Sequence, residues 1–168
     1  MRNMRQLVTG LLLVALLVGA CFAEDATPRR FYKVDFVVKE VEGAKILNAR
    51  TYSVMVPTQD APHFACSVRA AGKVPYSTGN EYQYLEVGVN IDCLGVREVQ
   101  NGLSLEVHAD ISSIVPESTT NADRPVLRQN KWSSTVLVPI KRPTVIFSSD
   151  DLTGKGQMQL ELTATPIT

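Results

Sequence analysis

From Tyr32 onward the chain alternates apolar and polar residues in one run after another, as in YKVDFVV, YLEVGVNIDC, LSLEVHADI and MQLELTATP. Only an extended strand sends successive side chains to opposite sides, so a period of two over most of a chain commits it to β-structure. Each run offers one apolar face, and such faces are buried by packing sheet on sheet or by closing a sheet on itself. The pattern predicts about eight strands and no helix beyond the N-terminal segment. The expected fold is all-β: a single antiparallel β-sandwich or barrel-like domain.

The first residues follow another rule. MRNMR is basic, and LVTGLLLVALLVGA is an apolar run of 14 residues. That layout is a secretory signal peptide, and the run is shorter than the ~20 residues of a spanning helix. Cys21-Phe22-Ala23 before Glu24 suits signal peptidase, which divides the chain into a leader, 1–23, and one β-domain, 24–168. Val18-Gly19-Ala20-Cys21 also resembles a bacterial lipobox, in which Cys21 would carry lipid. Cleavage after Ala23 is favoured, because Val opens the lipobox and bulky Phe22 follows the cysteine. Membrane association is then expected only through lipid on Cys21 or through a partner. Losing Arg2 and Arg5 with the leader turns a balance of 17 basic and 17 acidic residues into 15 against 17. No basic face for nucleic acid and no polybasic membrane anchor is written here.

Export makes a disulfide feasible, and two cysteines remain once Cys21 is set aside. Folding FACSVRAAGKVPY against EYQYLEVGVNIDC about Gly79-Asn80 puts Cys66 opposite Cys93. The same register pairs Val68 with Ile91, Ala70 with Val89 and Val74 with Leu85. Ser67 with Asp92, Arg69 with Asn90 and Lys73 with Glu86 fall on the polar face. A slip of one residue would turn the apolar set outward, so the pattern favours a Cys66–Cys93 staple. Gln100-Asn101-Gly102 predicts a second hairpin, centred on Asn101-Gly102, with Val107 opposite Val96 and Ala109 opposite Leu94. Ser112-Ser113 breaks the rhythm like a bulge. Residues 115–130, with two prolines, read as a long exposed loop, and SSDDLTGKG as a turn region.

Candidate chemistry is sparse. His63 and His108 have no second ligand at zinc spacing, and Asp150-Asp151 with Gly154 lacks the ligand spacing of a calcium loop. GKG is not a phosphate loop, and no serine sits in a nucleophile elbow. The tyrosines and Trp132 lie at strand spacing, which suits packing or an interface. No metal, no cofactor and no catalytic set is expected.

Four elements, in order, resemble the core domain of bacterial secretins, the outer-membrane gate proteins of type II and type III secretion and type IV pili. GKVPY, with Gly72, Pro75 and Tyr76, is similar to the family's Gly-x-x-Ile-Pro-Tyr element. YQYLEVGVNIDC carries Tyr84, Val87 and Gly88 of the tyrosine-then-Val-Gly strand. LSLEVHADISSIVP supplies the strand ending at Ser112 and Ser113, and STVLVPIKRPTVIF resembles the final segment. The resemblance covers about residues 64–150. It departs from the family in three places: STGNEYQ stands where the gate insertion belongs, Ser148-Ser149 replace a Gly-Gly, and only about 40 residues separate the leader from this core.

The resemblance implies a secretin-like β-fold in the periplasm, the outer membrane or outside the cell, and protein partners there, including copies of itself. It does not carry a channel over. The function read from the sequence is a non-enzymatic envelope or surface domain that binds or assembles with proteins of a secretion or pilus-type system. Two alternatives come from other classes: a β-barrel carrier of a small apolar ligand, and a secreted hydrolase uniting His108 or His63 with Asp and Ser side chains.

Overall fold

The computed structural model describes residues 30–58, 64–77, 81–114, 126–150 and 156–167. The leader, both cleavage readings, Cys21 and His63 lie outside these residues, as do Asp151, Gly154 and the Gly79-Asn80 turn. Eight strands follow in chain order: β1 Phe31–Glu42, β2 Lys45–Pro57, β3 Phe64–Ser77, β4 Tyr82–Val99, β5 Gly102–Ile114, β6 Leu127–Pro139, β7 Thr144–Asp150 and β8 Gln157–Ile167. They form two antiparallel four-stranded sheets, ordered β2-β1-β8-β7 and β3-β4-β5-β6. The all-β domain of about eight antiparallel strands, sandwich or barrel-like, expected from the alternation is observed as two four-stranded sheets.

The period of two explains the core directly. Tyr32, Val34, Phe36 and Val38 of β1 and Met158, Leu160, Leu162 and Ala164 of β8 line the inner face of the first sheet. Against them pack Val89, Ile91 and Cys93 of β4 and Leu103, Leu105, Val107, Ala109 and Ile111 of β5. Phe36, Ile91, Leu105 and Leu160 are fully buried, so side chains fill the space between the sheets. A ligand-holding barrel interior does not fit this packed core. Trp132 and Phe147, with ring centroids 5.6 Å apart, close the side where β6 passes to β7.

The β3–β4 register is the one the sequence predicts, with Cys66 opposite Cys93, Val68 opposite Ile91 and Lys73 opposite Glu86. The cysteines are bonded across a Cα–Cα distance of 5.0 Å, inside the range a disulfide spans without moving backbone.

The β4–β5 expectation is corrected. The turn centres on Gln100-Asn101, so Val99 pairs with Gly102 and Leu94 with Glu106, while Cys93 rather than Val96 opposes Val107. Two local features cause the shift. Asn101 takes the positive φ of the tight turn at 61°, and Gly95, at φ 56°, opens a bulge between Leu94 and Arg97. The bulge absorbs one residue and brings Val96 back into the core at 1% exposure.

Three smaller expectations also change. Ser112 and Ser113 are not bulged and pair regularly with Gln129 and Arg128. β6 begins at Leu127, inside the stretch read as loop, because Ile114 and Ile111 of β5 continue the ladder to Leu127 and Asn130. β7 runs on through Ser148 and Ser149 to Asp150, which pairs with Gln157.

Candidate functional site

The two sheets share one polarity. The hairpin ends of β1–β2, β3–β4, β5–β6 and β7–β8 fall at one end of the sandwich, here called distal. Arg30, Ile167, the β4–β5 turn and Ile140 meet at the other, proximal end. Three places could do chemistry or recognition, and each can be built from its residues.

The outer face of the second sheet carries a row the sequence did not reveal. Asp92 of β4 opposes His108 of β5, and His108 opposes Ser133 of β6, over a shallow groove of about 370 Å³. These are the residue types a hydrolase would need, but their bonds point elsewhere. Both carboxylate oxygens of Asp92 accept from Arg69 Nη2 at 2.8 Å. The ring Nε2 of His108 meets Glu106 Oε1 at 2.8 Å instead. Lys131 Nζ lies 3.2 Å from Asp110, whose other oxygen accepts from Gln129. A ladder of cross-strand pairs on an open sheet face stabilises that sheet by tenths of a kcal/mol per pair. It provides no donor pair aimed at a developing oxyanion. Among the described residues, no group of three or more His, Cys, Asp or Glu could hold a metal ion.

At the proximal end, Phe31, Val99, Ile140, Pro166 and Ile167 line a cleft of about 620 Å³. Its polar rim is the Arg30–Glu98 ion pair, 2.9 Å apart and largely exposed. Tyr32 stands beneath, and its phenol is pushed above the ordinary tyrosine value by burial first, then by its hydrogen bond and proximity to Glu98.

The residues singled out by family resemblance gather at the third place. The β3–β4 ladder continues to Ser77 opposite Tyr82, whereas the β4–β5 ladder stops at Val89 opposite Ile111. Beyond that level β3–β4 leaves the sheet as a two-stranded ribbon. Gly88 and Ser112 meet at the point of departure: the Gly88 N–H donates to Ser112 Oγ at 3.0 Å. Gly88 is also where backbones crowd. A Cβ there would collide with the Ala70 carbonyl oxygen and come within 2.5 Å of the Ala71 Cα.

On the ribbon, Gly72 opposes Val87 and Pro75 opposes Tyr84. The Tyr76 hydroxyl donates to Gln83 Oε1 at 2.6 Å. Tyr84 and Tyr82 stand 67% and 77% exposed. Ser113 is placed on the β5–β6 side and does not join the others.

The sheets also end in four strand edges: β2 and β7 in one, β3 and β6 in the other. An edge strand presents unpaired backbone groups and is ordinarily guarded against pairing with another chain. β3 carries Arg69, Gly72, Lys73 and Pro75, and β6 carries Arg128, Lys131 and a closing Pro139. β7 has only 7 residues. The proximal edge of β8 beside it is capped, since Lys141 N–H donates to the Ala164 carbonyl at 2.8 Å. β2 is guarded in the same way: its 13 residues include Lys45 and Arg50 and end at Pro57, and its ladder with β1 shifts register between Glu40 and Val41.

No protein-family model matches the chain, and no curated protein matches it. Solved structures similar to it are secretins. The InvG secretin domain β-barrel of the Salmonella SPI-1 injectisome shares 9% identity at a TM-score of 0.49, over 95% of this chain and 68% of that one. The type II secretion secretin XcpQ of Pseudomonas aeruginosa shares 13% at 0.45, over 83% and 56%. The type II secretin GspD of enteropathogenic Escherichia coli shares 10% at 0.42, over 83% and 66%.

Proposed function

We propose that this chain is an exported, non-enzymatic β-domain of the bacterial envelope that works by binding or assembling with proteins, as a component of a secretion or pilus-type system. The observation that carries the reading is the pair of four-stranded sheets that end in strand edges. A sheet edge recognises protein backbone, and strand addition is a recurrent mode of protein association. The ordered secretin-like elements from Gly72 to Ser113 support the choice of system, and the leader, residues 1–23, supports export. On this reading the Cys66–Cys93 staple serves the mature domain in an oxidising compartment. Cys21, if it is retained as a lipidated first residue, supplies the membrane tether. The polar outer ladders of Asp92, His108 and Asp110 are structural.

The test is cross-linking in intact cells, followed by fractionation of the envelope. The expected result is a species in the envelope fraction in which this chain is joined to other envelope proteins or to its own copies. Recovery only as an uncross-linked chain in the cytoplasm would overturn both the compartment and the role.

A further inference from the structure

The inward rows of β1, β4, β5 and β8 are apolar as far as Val38, Val89, Ile111 and Met158. One step further toward the distal end the rows between the sheets turn polar. Glu40 follows Val38 on β1 and pairs with Asn48 of β2, while Arg50 pairs with Val38 itself. On the facing sheet Ser113 follows Ile111 and pairs with Arg128 of β6, while Asn130 pairs with Ile111. Directly opposed residues of antiparallel strands share a face. All six therefore border the gap between the sheets, around a cavity of about 70 Å³.

These side chains differ from the charged residues of the outer faces, which are held in cross-strand pairs. Arg69 is bound by Asp92, Lys39 by Glu161 and Lys131 by Asp110. Among the described residues, the side chains of Glu40, Asn48, Arg50, Ser113 and Asn130 form no hydrogen bond or ion pair. Their donors converge on the cavity with capacity to spare: five N–H on a guanidinium, two on each amide and one hydroxyl. The β1–β2 ladder also shifts register between Glu40 and Val41, beside the Glu40–Asn48 pair. Such bulges re-aim the side chains next to them. Glu40 offsets one of the two guanidinium charges, which leaves the cavity a surplus of one positive charge.

We propose that this distal mouth of the sandwich is a phosphate site. Arg50 and Arg128 approach the anion from facing sheets, and Asn48, Asn130 and Ser113 donate to its remaining oxygens. The arrangement selects the shape of the anion. A carboxylate is planar, and one guanidinium fork satisfies it. Here the donors come from β2, β5 and β6, on both sheets, which suits a tetrahedral group with oxygens on every side. The cavity has room for the phosphate group alone, so anything attached to it lies outside, where Arg50 and Asn48 are exposed. The site is separate from the strand edges and goes beyond the protein-binding reading.

The experiment titrates inorganic phosphate into the protein purified after export, with its disulfide formed, at constant ionic strength in chloride. Calorimetry and the Arg50 guanidinium N–H resonance are the two readouts. The expected result is a Kd of about 1 mM or tighter and a shift of that resonance. Arg50→Gln weakens binding by about tenfold, the loss of one hydrogen bond between charged groups. Glu40→Gln tightens it by about two- to fivefold, the size of one exposed charge interaction, and a misfolded variant could not give that gain. Arg97→Gln, at the proximal end of β4, leaves the Kd unchanged. Glycerol 3-phosphate distinguishes the source: tighter binding than inorganic phosphate marks the group as part of a larger molecule, and weaker binding marks free phosphate. No heat and no resonance shift beyond those of chloride overturn the inference. So does binding that survives Arg50→Gln, or binding that Glu40→Gln weakens.

This test leaves the functional reading untouched in either direction. A chain that ignores phosphate and still cross-links to envelope proteins loses the site and keeps the envelope role. A chain that binds phosphate and has no envelope partner does the reverse.

Discussion

At the residue scale, a few side chains hold positions their neighbours cannot relax. Gly88 is one: a methyl group there meets the backbone of Ala70 and Ala71, which cannot rotate away as a side chain would. Gly88→Ala is expected to cost about 1–3 kcal/mol, as overpacking does, and to loosen the Gly88–Ser112 tie; urea unfolding measures the first effect. Ser112→Ala at the same junction is expected to cost about 1 kcal/mol, one side-chain-to-backbone bond. Asp35 gives a pH prediction. Burial alone would raise its carboxyl, but the bonds from the Ser53 hydroxyl and Lys33 outweigh burial and hold it below the ordinary aspartate value. Its contribution is therefore complete above the unfolded pKa of about 4 and is lost as pH falls through the folded one. Asp35→Asn should flatten the acid limb of a stability–pH curve. Tyr32 acts at the other extreme: its raised phenol contributes below about pH 10 and loses that contribution as pH rises through the folded value. Tyr32→Phe should remove that alkaline loss.

At the scale of elements, the β3–β4 hairpin and the β4–β5 hairpin show what a sequence can and cannot fix. The first is legible because Val68, Ala70, Ile91 and both cysteines must share a face, and only one register allows it. The second misleads because Gly95 absorbs a residue in mid-strand and shifts the alternation from Cys93 to Val96. An isolated glycine inside a strand pattern was the signal for that bulge. Gly95→Ala is expected to destabilise by about 1 kcal/mol, since an L-residue at φ 56° is strained there. The staple belongs to this scale as well. Closing the loop from Cys66 to Cys93, a separation of 27 residues, contributes about 3–4 kcal/mol by chain entropy. Replacing both cysteines by alanine should lower the melting temperature, and reductant should lower the wild type to the same value. An unchanged melting temperature would remove the staple from the energetics.

At the scale of the whole molecule, the number of strands and their buried faces could be read from the period of two, but their order across the sheets could not. β1 and β8 lie at opposite ends of the chain and pair along their length, Phe31 with Ile167 through Val41 with Gln157, and no local residue announces that contact. The Asp92–His108–Ser133 row was invisible for the same reason, since it depends on two ladder registers at once. That β2 is an edge follows from sheet order too, because a strand is an edge only once its neighbours are known. Topology therefore leaves the molecule with its apolar core between the sheets and its strand edges at the margins. The proposed function requires those margins to be occupied by protein in the envelope. The most direct measurement is the native mass of the endogenous protein, extracted from the envelope without denaturant or reductant. The expected mass is at least that of two chains, alone or within a larger envelope complex. A bare single chain in every envelope extract would contradict it.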